Sequence, residues 1–271
     1  MKSKHRKGVI YILVGIFICS LCFGIVRYLY VNPLVQTYFR SLPLRSQQRV
    51  IRGIGVYVSP FTARSFLYWL KLPTDVMHDI VPVLGESAYI SQGVRGFEVC
   101  NEEWVIPCYQ GVMMGATQQH GYTPKIIRDV ANSCTENSLV DGRDALCAQA
   151  AGYTILWLNT YWYIESLQFC DRTFMDIPLR HHCWVGVSHE NVHRAGDSLR
   201  GLYDAPWTTD NMYYPCDSIP LEYQPACVSE QVKVIKMREF GGDTQKTKDY
   251  CMYFTHQETQ KACMSALDVQ N

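Results

Sequence analysis

The chain has 271 residues, 48% of them hydrophobic, and balances 25 basic against 25 acidic side chains. That is enough apolar material for one sizeable core or a stack of smaller ones. Residues 1–30 hold five basic and no acidic side chains, which leaves 20 against 25 in the rest, a net −5 that argues against a nucleic-acid partner, since such binding needs a basic face.

Residues 1–7 (MKSKHRK) are a basic tail. Residues 8–26 carry no charge and Arg27 closes the run. Nineteen uncharged residues are long enough to cross a bilayer as a helix. The basic flank should stay in the cytoplasm, which places everything after residue 30 on the far side. No small-residue cleavage site follows, so residues 8–30 read as an uncleaved signal anchor. The expected location is a single-pass membrane protein with its main domain periplasmic or otherwise extracytoplasmic. Cys19 and Cys22 fall inside the apolar run.

Residues 31–99 read as a membrane-proximal helical cap. Residues 35–58 and 59–72 have helix-like apolar spacing. Ser59-Pro60 and Pro73-Thr74-Asp75 look like helix starts.

Beyond residue 99 ten cysteines set a rhythm: Cys100, Cys108, Cys134, Cys147, Cys170, Cys183, Cys216, Cys227, Cys251 and Cys263. Short and long gaps alternate without exception, and every second cysteine counted from Cys108 recurs at 36 to 44 residues. A period in the high thirties is the size of a helix–turn–helix unit that stacks into a solenoid. The expected fold is therefore all-α, a helical-hairpin repeat solenoid over residues 100–267 with four to five units. Gly111, Gly115, Ala148, Ala150, Gly152 and Gly186 follow the cysteines closely and would let helices approach. An even cysteine count beyond an anchor implies an oxidising compartment and a disulfide framework. In stacked hairpins the end of one unit's second helix lies beside the start of the next unit's first. This favours the short-gap pairs Cys100–Cys108, Cys134–Cys147, Cys170–Cys183, Cys216–Cys227 and Cys251–Cys263. The long-gap pairing, Cys108–Cys134 and its equivalents, is the alternative.

The junction VCNEEWVIPCYQG, with its Cys-x7-Cys, resembles the helix–helix junctions of cysteine-rich, secreted tetratricopeptide-like solenoid proteins, over residues 95–267. The resemblance implies a binding scaffold.

One constellation has catalytic potential. His189-Glu190-Asn191-Val192-His193 matches His-Glu-x-x-His, in which two histidines one helical turn apart ligate zinc and Glu190 acts as general base. A catalytic zinc needs a third protein ligand. Gly196 fits the extended pattern, but Leu199 stands where that ligand would be; Asp204, Asp217 and Glu222 are the nearest substitutes. His181 and His182 add a histidine-rich stretch. No Gly-rich phosphate loop or Gly-x-Ser-x-Gly elbow is present.

The longest gap holds an insertion, residues 203–225, rich in Pro, Asp and aromatic residues. Insertions in repeats normally form loops on one face, often the binding face. Trp207, Tyr213, Tyr214 and Tyr223 are residue types enriched in binding hot spots. The function expected from the sequence is a membrane-anchored extracytoplasmic scaffold that binds a protein or peptide partner, or organises a membrane complex, through a groove of first helices, with no cofactor. The alternatives are a zinc-dependent metallohydrolase using His189, Glu190 and His193, and a purely structural subunit of a larger assembly.

Overall fold

A computed structural model describes residues 33–137, 141–198 and 211–268. Among these residues the fold is all-α, with twelve α-helices, two 3-10 segments and no strand. The predicted anchor, residues 8–30, lies outside the described residues. None of the described helices is long and apolar enough to cross a membrane.

The N-terminal part comprises α1 (Pro33–Ser41), α2 (Leu44–Tyr57), α3 (Pro60–Leu70) and α4 (Thr74–Gln92). The apolar spacing over residues 35–58 is thus split into two helices. Pro43 biases Leu42 away from helical backbone. The buried Gln47 then donates through Nε2 to the carbonyls of Phe39 (3.1 Å) and Leu42 (3.0 Å), satisfying the end of α1. Both proline-marked starts hold: Pro60 opens α3 and Thr74 opens α4. The 3-10 segments Gly93–Val99 and Glu102–Trp104 lead to Cys100 and on to α5 (Val105–His120).

Next come α6 (Pro124–Asn137), α7 (Arg143–Leu158), α8 (Tyr163–Thr173), α9 (Ile177–Ser198), α10 (Gln224–Arg238), α11 (Thr244–Met252) and α12 (Gln257–Asp268). Gly121 stops α5 at φ +91°, a backbone state that only glycine adopts freely. Gly196 does not stop α9, which runs on to Ser198. Asp243 caps α11 by accepting from the amides of Gln245 (2.9 Å) and Lys246 (3.1 Å).

The helices α2, α4, α5, α7, α9, α10 and α12 pack in succession, each on the one before and the one after it in that order. The shorter α3, α6, α8 and α11 lie beside them. A single apolar cluster runs through the whole array from Phe39 to Leu267.

Glycines set the closest approaches. A Cβ on Gly111 would collide with the Pro82 carbonyl, and one on Gly85 with the Cys108 carbonyl, so α4 and α5 meet backbone to backbone. Gly152 and Gly186 do the same for α7 and α9, against the carbonyls of Cys183 and Gln149.

Five disulfides join the short-gap partners: Cys100–Cys108, Cys134–Cys147, Cys170–Cys183, Cys216–Cys227 and Cys251–Cys263. Their Cα–Cα separations fall between 5.5 and 5.9 Å. The long-gap pairing is therefore not the one adopted.

Candidate functional site: a cavity along five helices

A cavity of about 390 Å³ opens along α2, α4, α5, α7 and α9. Its lining is spaced by the helical repeat. Leu44, Gln48 and Arg52 come from α2, and Gln110, Met114 and Gln118 from α5. Each set is spaced i, i+4, i+8, which places three residues on one helical face. His78, Asp79, Pro82, Val83 and Glu86 line it from α4. Pro82 sits inside that helix and removes the amide that would otherwise bond to the His78 carbonyl. Trp157 at the end of α7, Tyr161 in the following turn, and Glu190 on α9 complete the wall.

Several lining groups are polar yet buried: Glu86, Gln110 and Glu190 are each less than a tenth exposed. Burying such groups is unfavourable unless they are bonded. Glu86 pairs with Arg52, whose side chain is half-exposed. Gln48 donates to the Asp79 carbonyl at 3.0 Å. Glu190 accepts a hydrogen bond from the Tyr161 hydroxyl at 3.1 Å. Tyr161 is delivered by an unusual turn, since Thr160 and Tyr161 both have left-handed backbone, φ +51° and +66°. Two consecutive non-glycine residues in that region cost about 1–2 kcal/mol each. Such strain concentrates at binding and catalytic sites.

His189 is engaged through its Nδ1. Its Nδ1 lies 2.8 Å from Glu230 Oε2 on α10, and its ring lies 5.1 Å from that of the buried Tyr153. Lys233 Nζ donates to the other Glu230 oxygen at 2.6 Å. Burial acts to raise the Glu230 carboxyl, but the His189 hydrogen bond and the charges of His189 and Lys233 outweigh it and hold the group below the usual glutamate range. Of His193 only the backbone, in α9, is described. Among the described residues no group of three or more His, Cys, Asp or Glu side chains is placed to hold a metal ion.

The aromatic residues expected to bind a partner are dispersed. Trp207 lies outside the described residues. Tyr223 is 3% exposed, donates to Asp171 Oδ2 at 2.5 Å and meets the Trp184 ring edge-on, so its ring is used in packing. Tyr213 stacks on Tyr253 (3.6 Å) and Tyr250 (5.1 Å) and packs against the core. Of the three that are described, Tyr214 is the most exposed, at 46%. Residues 211–223 form turns held to α10 by Gln231, whose Nε2 donates to the carbonyls of Met212 and Tyr214.

The cavity residues other than Glu190 were not singled out by motif. Their signal was present as polar residues spaced i, i+4, i+8 in apolar helices, most plainly Gln110 and Gln118 around Met114. Comparison with protein-family models, curated proteins and solved structures found no match to this chain.

Proposed function

We propose that the protein is a membrane-anchored, extracytoplasmic scaffold whose helical hairpins stack as a tetratricopeptide-like solenoid, and that the cavity along α2, α4, α5, α7 and α9 takes an extended segment of a protein partner. One observation carries this reading: polar side chains of α2, α4, α5 and α9, with Trp157 at the end of α7, line one 390 Å³ space. Peptide grooves in helical arrays have this form, a concave wall with a few polar groups fixing orientation. The carboxylates of Asp79, Glu86 and Glu190 face the space against the single guanidinium of Arg52, which favours a basic segment. Five disulfides support an oxidising compartment. The uncharged run of residues 8–26 supports the anchor.

The test is selection of displayed peptides on the purified full chain. Enriched peptides should carry Lys or Arg. They should lose about tenfold in affinity, or about 1.4 kcal/mol, to Gln118→Arg and to Trp157→Ala. Both positions are exposed, so the melting temperature should hold. Failure to enrich any peptide, or enrichment of peptides that bind both variants as well as the parent, would remove the cavity as the binding site.

A further inference from the structure

The acidic residues are distributed in a way that composition alone conceals. Residues 1–74 hold eleven basic side chains and no acidic one, whereas residues 75–271 hold 14 basic against 25 acidic. The described portion of this acid-free stretch is α1, α2 and α3. It carries Arg40, Arg45, Arg49, Arg52, Arg64 and Lys71. All of these except Arg64 are exposed. Arg45 and Arg49 stand one turn apart on α2, so they share a side of that helix.

The same three helices expose large apolar side chains. Leu34 (75% exposed) and Tyr38 (67%) are one turn apart on α1. Tyr57, at the end of α2, is 88% exposed and Val58 follows it. Phe61 and Tyr68 are exposed two turns apart on α3, with the Arg64 guanidinium 5.3 Å over the Phe61 ring. Cations mixed with tyrosine, phenylalanine and leucine, from a stretch that contributes no acid of its own, match what a bilayer interface selects, although Glu86 pairs with Arg52 and Glu103 reaches Tyr68. Basic groups meet headgroup phosphates, and aromatic and aliphatic groups enter the acyl boundary. A protein partner of opposite charge would explain the arginines but gives no reason for aliphatic side chains at this exposure. The uncharged run of residues 8–26 precedes this face directly in the chain.

We infer that α1, α2 and α3 form a docking face for a bilayer surface rich in anionic headgroups. It would hold the rest of the molecule at a set orientation to the membrane. The inference is independent of what the cavity binds.

The test uses the full chain in nanodiscs of phosphatidylcholine alone or mixed with phosphatidylglycerol, with amide hydrogen exchange followed over residues 33–71 and, as reference, over α10 to α12. Exchange over 33–71 should slow about tenfold with the anionic lipid and stay unchanged in the reference helices. The pair Arg45→Gln with Arg49→Gln should abolish most of that slowing. The pair Arg45→Lys with Arg49→Lys, which keeps the charge, should retain it. Equal exchange in the two lipids would overturn the proposal. So would slowing that survives the Gln pair, or slowing that depends on protein concentration instead of lipid, which would assign the face to a second copy of the chain.

Discussion

Glu230 is a buried carboxylate whose charge is held by two partners on different helices, His189 of α9 and Lys233 of its own α10. Breaking such a bracket leaves buried polar atoms without bonds, at about 1–3 kcal/mol. Glu230→Gln should therefore lower stability by that order in chemical denaturation at neutral pH. The pH dependence follows from the direction of the shift. A carboxyl held below its unfolded value contributes stability that is present above that value and lost as pH falls through the folded one. The gap between parent and variant should be full at neutral pH and shrink on acidification below the ordinary glutamate range, about 4.3. A gap that widens on acidification would contradict the assignment. His189→Ala should destabilise in the same way without changing metal content. About one zinc per chain in the parent, lost in that variant, would instead favour the metal role of His-Glu-x-x-His.

The glycines make opposite predictions at two positions, because the same side chain serves two different ends. Gly152 faces the Cys183 carbonyl and Gly186 across the α7–α9 contact, with no room for a Cβ. Gly152→Ala should force these helices apart and cost about 1–3 kcal/mol. Gly53 lies within α2 and a Cβ there meets open space. Gly53→Ala should stabilise by about 0.5–1 kcal/mol by narrowing the unfolded ensemble. Thermal unfolding of the two variants beside the parent checks both signs. Much at this scale was legible in advance: the starts at Pro60 and Thr74, and the close-packing role of Gly111, Gly152 and Gly186. Each is a local steric rule. Aromatic content was a poorer guide, because Tyr223 and Tyr213 have the composition of a binding hot spot and the burial of packed residues. Exposure depends on which helix covers a ring, and no short window encodes that.

Among the described residues each long helix packs mainly on the long helices before and after it, and each disulfide closes a loop of 8 to 13 residues. On the chain-entropy estimate each bridge contributes about 2.5–3 kcal/mol. In an array held by neighbour contacts the loss of one bridge should be felt locally. Cys251→Ser with Cys263→Ser should speed amide exchange in α11 and α12 while leaving α4, α5 and α7 protected. Uniform loss of protection along the chain would show a single cooperative unit instead.

The amino-acid sequence by itself determined the helical class and the cysteine phase, and it favoured the short-gap pairing without excluding the long-gap one. These rest on short separations: the helical period and the spacing of one cysteine from the next. Tertiary structure alone decided that Arg52 meets Glu86, that Tyr161 reaches Glu190, that His189 turns to Glu230, and that side chains from five helices share one cavity. Those meetings depend on how far each helix is rotated about its axis and offset along its neighbour. The packing of the whole core sets both, and no local pattern specifies either.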